Sequence, residues 1–141
     1  MWDLLIISII AYLGLVSGYV IIHFAIEEKK LGMKYFNVFL PVLFFLSIIP
    51  VFLENKILGF IYAIFSIGYI FIKLKNYFAY FLYAIFFALL NSEYLVYYSL
   101  IIFLYGLCNG AIIYEKKWKN FSIVAYMLLF VVVTNLIRLI L

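Results

Sequence analysis

The placement of charged residues constrains this chain more than anything else in it. Sixteen of the 141 residues are charged, and most stand in clusters. Glu27, Glu28, Lys29, Lys30 and Lys34 form one, Glu54 and Lys56 a second, Lys73 and Lys75 a third, and Glu115, Lys116, Lys117 and Lys119 a fourth. Asp3, Glu93 and Arg138 stand alone. Between them lie uncharged apolar runs at 4–26, 35–53, 57–72, 76–92, 94–114 and 120–137. A helix that crosses a bilayer needs about 20 such residues, within a range of about 17 to 25. Five runs fit. The run 57–72 is short, about 24 Å as a helix against a hydrocarbon core of about 30 Å, and Lys56 and Lys73 can snorkel from its two ends. Reading 57–92 as one helix would strand Lys73 and Lys75 in mid-membrane, at about 2.5–3.5 kcal/mol each. The spacing predicts an all-α polytopic membrane protein in one integral membrane domain, 1–141. Its six transmembrane helices fall at about 4–26, 35–53, 57–72, 76–92, 94–114 and 120–140. Composition agrees: 71% of residues are hydrophobic and 11% charged, where a soluble domain has about half and about a quarter.

Lysine and arginine in short loops set orientation. The segments 27–34, 73–75 and 115–119 hold eight lysines, and the opposite side holds only Lys56 and Arg138. This bias puts the three lysine-rich loops in the cytoplasm and both termini outside, in a cell membrane. The cytoplasmic side chains carry a net +5 and the outer ones −1. A basic inner face suits anionic lipid headgroups. The basic character is thus explained by topology, and no nucleic acid is expected as a partner. The N-terminal run has no basic leader and is too long for a signal-peptide core, so it is expected to be retained.

The odd runs end alike. "SGYVII" at 17–22, "IGYIFI" at 67–72 and "NGAIIY" at 109–114 each precede a basic turn and an aromatic. Three helical hairpins with cytoplasmic tips would give this pattern, as an internal repeat or as convergence under the same interfacial rules. Small residues four apart let helices approach closely in lipid. Gly14 and Gly18, Gly59 and Ala63, and Gly106 and Gly110 have that spacing in the three odd runs, with Ala84 and Ala88 in the fourth. These are the expected helix-packing positions, and they predict that the odd spans pack centrally. Pro41 is expected to kink the second span, and Pro50, near its end, to matter less.

The chemistry is mostly one of exclusion. One histidine and one cysteine cannot supply an intrachain disulfide or a zinc site of the usual kinds. Ser17 and His23 are six residues apart, on different faces of a helix, which rules against a nucleophile–base pair. A single aspartate cannot furnish an aspartic dyad. No cofactor and no enzymatic activity are expected. His23, Glu93, Asn109 and Asn135 are the polar residues that a path through the membrane would use. The ordinary alternatives are an interfacial histidine, a solvated turn and interhelical hydrogen bonds. Tyrosine and phenylalanine have A+T-rich codons, which accounts for part of the aromatic excess. The expected role is a non-enzymatic subunit or scaffold of a membrane complex, as a homo-oligomer or with other membrane proteins. The alternative is a small carrier or channel for an unidentified solute.

The orientation is testable in a Cys108→Ser background. Cysteines at positions 30 and 117 should resist an impermeant thiol reagent in intact cells, and one at position 55 should react. Labelling of 117 from outside, with 30 protected, would exclude six alternating spans.

Overall fold

The computed structural model describes residues 2–72, 76–114 and 128–140. The described residues form helices without strands: α1 (Trp2–Phe24), α2 (Lys29–Leu46), α3 (Ile48–Glu54), α4 (Lys56–Ile72), α5 (Asn76–Leu89), α6 (Ser92–Ile113) and α7 (Leu129–Ile140). The lysine-rich segments 73–75 and 115–119, and the first part of the expected sixth span, lie outside the described residues.

Three helical stretches, not six, are long and apolar enough to cross a membrane: Asp3–Phe24, Leu31–Glu54 and Glu93–Ile113. The other three apolar helices are shorter. α4 has 17 residues, α5 has 14 and α7 has 12, or about 25, 21 and 18 Å at 1.5 Å per residue. Charge-free runs overestimate helix length here because turns take residues from both ends. Helix α5 stops at Leu89, before Asn91 caps the next helix.

The first connection is also tighter than the charge cluster implies. Helix α2 starts at Lys29, so Lys29 and Lys34 lie on its opening turns, and only 25–28 form the turn itself. Pro41 does not interrupt its helix. Pro41 sits inside a continuous α2 with its surface exposed. The interruption comes at Ser47, because Pro50 has no N–H to donate to the carbonyl of Leu46, four residues back, and its ring crowds that oxygen. Pro50 then falls in the first turn of α3, where its missing N–H costs nothing.

Helix α6 is the centre. It packs on α1 most extensively, and also on α2, α3 and α5. Helices α1 and α6 run parallel, since Gly14 meets Phe103, Gly18 meets Leu107 and Gly110 meets Leu15. A methyl group added at Gly14 or Gly18 would lie 2.1 or 2.0 Å from the backbone oxygen of Phe103 or Leu107. The third odd span behaves differently. Helix α4 packs on α3 through Gly59, whose added methyl would stand 2.6 Å from Phe52 Cα. It leaves Ile57, Phe60, Ile61, Ile64, Phe65 and Ile67 exposed, so it is peripheral rather than central. Nor do the expected hairpin partners make the main contacts. Among the described residues the pairs α1–α2, α4–α5 and α6–α7 approach only sparsely, whereas α1–α6, α2–α6, α5–α7 and α3–α4 pack extensively. Apart from α3–α4, which are neighbours in the chain, these pairings join helices distant in sequence.

Inside and outside are chemically reversed from a soluble fold. Among the described residues ten isoleucines are exposed and three buried, while eight tyrosines are buried and two exposed. Aliphatic side chains face outward on every helix except α5, whose exposed large residue is Phe81. The hydroxyls of Ser8, Ser47, Ser66, Ser99 and Thr134 and the amide of Asn109 are buried, as expected where unpaired polar groups are costly in hydrocarbon, while Asn37, Asn55 and Asn91 are exposed.

Glycine substitution separates close packing from mere tolerance. Gly18→Ala must push α1 away from α6 and should cost about 1–3 kcal/mol. Gly68, with nothing within 4 Å of an added methyl, should accept alanine with a gain of up to about 1 kcal/mol. Equal thermal midpoints for the two variants in detergent would contradict the glycine contact.

Candidate functional site

The polar side chains collect in three places along α6. At its C-terminal end, Tyr114 caps the helix through its own N–H to Gly110. The Tyr114 hydroxyl lies 2.8 Å from His23 Nδ1, and its ring meets Tyr19 at 5.0 Å edge-on. Lys29 Nζ donates to the Tyr114 carbonyl and stands 5.5 Å from the centre of its ring. A cation on the last carbonyls of a helix is favourable, because those oxygens have no helical donor and the dipole is negative there. The end of α1, the start of α2 and the end of α6 are thereby joined.

At the other end Glu54, last residue of α3, accepts the Asn91 backbone N–H at 3.1 Å by each carboxylate oxygen and also the Asn91 side-chain amide. Asn91 precedes α6, so a carboxylate sits at the positive end of that helix. Next door, Asn55 Oδ1 accepts from Ile57 N at 2.9 Å and Leu58 N at 3.3 Å, an N-cap for α4. Arg138 Nη1 donates to the Ala88 carbonyl at the end of α5, 3.0 Å away.

The third place is the middle. Tyr98, Ile102, Tyr105 and Asn109 form one buried stripe of α6 at helical spacing. Tyr80 and Tyr83 of α5, Tyr62 and Ser66 of α4, and Ser47 between α2 and α3 are buried with them. Ser47 has one proton, and it donates to the Phe44 carbonyl at 2.6 Å. The 2.7 Å contact with Tyr62 Oη is therefore one in which the tyrosine donates. Tyr62 stacks on Phe86 with centroids 4.2 Å apart. The Tyr83 ring meets Phe44, Tyr80, Tyr98 and Tyr105 at 5.5, 6.1, 6.0 and 5.1 Å. The hydroxyls of Tyr83 and Ser66 find no hydrogen-bond partner among the described residues. Those of Tyr80 and Tyr98 face Asn109 and Tyr62 without reaching hydrogen-bond geometry.

The residues singled out from the sequence fall into separate places. Gly14, Gly18, Gly106 and Gly110 come together at the α1–α6 seam, while Gly59 and the half-buried Ala63 lie apart on α4. Of the polar four, His23 joins Tyr114, and Asn109 is buried in the middle stripe. Asn135 donates to Ser8 Oγ at 3.3 Å across the α1–α7 seam and to Val131 O at 2.8 Å. Glu93 is exposed in the first turn of α6. Cys108 is half buried against the core. Among the described residues no three metal-ligating side chains come together. The sequence reading did not single out the tyrosines, having put part of the aromatic excess down to codon composition. The signal was present in the 98–105–109 spacing on one face of one helix. Comparison with protein-family models, curated proteins and solved structures finds no match to this chain.

The two polar residues nearest the helix ends differ in a measurable way. Tyr114→Phe removes the bond to His23 and should lower stability by about 1 kcal/mol. Glu93→Gln changes an exposed turn residue and should stay within about 0.5 kcal/mol of the parent. Denaturant titration in detergent checks both, and a Glu93 effect larger than that of Tyr114 would refute the assignment.

Proposed function

We propose that the chain crosses the bilayer six times, with both termini outside and the lysine clusters cytoplasmic, and serves as a non-enzymatic scaffold subunit of a membrane complex. Alternation of helix direction supports the crossings. Helices α1 and α6, the first and fifth expected spans, are parallel. So are α5 and α7, the fourth and sixth, with Phe130 between Tyr80 and Phe87 and Arg138 at Ala88. Helix α2 starts beside the end of α6, at Lys29, and α3 ends beside its start, at Glu54. The short helices reach across with their flanking residues or by local thinning of the bilayer, at a modest cost per ångström.

One observation carries the scaffold reading. The interior is filled by aromatic rings in mutual contact, and among the described residues no acidic or basic side chain is buried in it. Coupled carriers generally bury a group that changes charge during the cycle. Such a helix bundle presents a largely apolar exterior to lipid and to neighbouring helices. Anionic headgroups at the cytoplasmic face fit the lysine clusters.

The second reading, a small carrier or channel, is favoured by the unpartnered hydroxyls of Tyr83 and Ser66 in the interior. Purification in mild detergent separates the two. A stoichiometric membrane partner is the expected result. A stable homo-oligomer that passes solute in liposomes would overturn the scaffold reading. So would loss of uptake in Glu93→Gln or His23→Gln at normal membrane abundance.

A further inference from the structure

One face of α2 is polar near its start and apolar along the rest. Positions 34, 37, 38, 41 and 45 share that face at helical spacing. All five residues, Lys34, Asn37, Val38, Pro41 and Phe45, are exposed. Neither the Lys34 nor the Asn37 side chain has a hydrogen-bond or ion-pair partner among the described residues. Pro41 adds a further polar group. Helix α2 continues through it, yet a proline has no N–H to donate to the carbonyl four residues back, here that of Asn37. That oxygen lacks its regular helical donor, beside a side-chain amide that has no partner either.

The depth of these groups decides what meets them. On the proposed crossing, Glu54, Asn55 and Lys56 mark one membrane boundary, where α3 ends and α4 begins. Asn37 lies 17 residues before Glu54, about 26 Å along a helix, against a hydrocarbon core of about 30 Å. The Asn37 amide therefore reaches the opposite boundary at most, and helix tilt draws it inward. Lys34 stands about one helical turn nearer water, and its flexible stem carries the ammonium to the phosphate layer. Glu27 and Glu28 are exposed farther out, in the turn before α2, and neither pairs with Lys34. From water inward, the face thus offers a cation, then an amide and a free carbonyl, then the apolar track of Val38 and Phe45. A phospholipid has the complementary parts in the same order: a phosphate, the ester oxygens of its glycerol, and an acyl chain. The uncompensated lysine favours an anionic headgroup, and a headgroup hydroxyl can donate to the free carbonyl. A second copy of the chain fits less well, because copies inserted the same way would bring their Lys34 ammonium groups to the same depth.

We propose that this face of α2 binds one anionic phospholipid, with the phosphate at Lys34, the glycerol region at Asn37 and an acyl chain along Val38, Pro41 and Phe45. The site rests on the proposed membrane crossing of α2 and names the lipid contact within it. It is independent of the scaffold role.

Native mass spectrometry of the intact protein in detergent, titrated with phosphatidylglycerol or phosphatidylcholine, tests it by counting bound lipids. The parent should retain one phosphatidylglycerol in preference to phosphatidylcholine. Lys34→Gln and Asn37→Leu should each weaken that binding about fivefold. Lys56→Gln, at an exposed position beyond the far end of α3, should leave it unchanged. Should Asn37→Leu fail to fold, Asn37→Ser is read in the same way. No preference for phosphatidylglycerol in the parent would overturn the site. So would equal losses in Lys34→Gln and Lys56→Gln, which would assign the preference to net charge. Unchanged binding in Asn37→Leu would overturn it as well, and a concurrent fall in oligomer mass would assign the face to a second copy. Failure of the orientation would appear instead as labelling of position 117 from outside, which leaves these affinities as they are.

Discussion

The contact between α1 and α6 is the constraint on which the rest of the structure depends. In hydrocarbon, helices gain nothing by hiding apolar surface from one another, and association rests on close packing and interhelical hydrogen bonds. Four glycines supply the close packing. Gly14 and Gly18 present bare backbone to Phe103 and Leu107, and Gly106 and Gly110 return it to Leu15. The parallel register that results brings Tyr19 and His23 against Tyr114. It also turns the Tyr98–Tyr105–Asn109 stripe toward the interior that α2, α4 and α5 complete.

The helix ends are then secured by polar contacts that each helix cannot make for itself. Orphan carbonyls of α5 and of the α6 C-terminus receive Arg138 and Lys29, and the start of α6 receives Glu54. Each of these charges also suits the helix dipole it meets. These sparse charged residues thus serve as caps between helices distant in sequence. Asn135 and Ser8 do the same in mid-helix, where a serine that has already given its proton to Leu5 O is free to accept one.

The aromatic interior gives the bundle its particular character. Tyrosine has a ring that packs like phenylalanine and an oxygen that must be satisfied or hydrated. Placing it inside and isoleucine outside fits a chain surrounded by lipid. The same placement concentrates hydrogen-bonding capacity in the one region that lipid cannot reach.

Much was determined by the sequence alone. The charge clusters marked where helices must begin and end, because a charged residue in hydrocarbon is expensive wherever the chain places it. The glycine spacing on the first and fifth runs marked a close-packing surface for the same local reason. Other features were not legible. The break at Ser47 depends on which proline interrupts the hydrogen-bond ladder, and the shortness of α5 depends on how tightly the next helix is capped. The pairing of α1 with α6 rather than α2, and the peripheral position of α4, follow from which small-residue surfaces fit one another. The burial of Tyr83, Tyr98 and Asn109 follows from those pairings. A one-dimensional pattern states what a helix face offers, and only the assembled bundle decides which face receives it, because contact energy belongs to two surfaces at once.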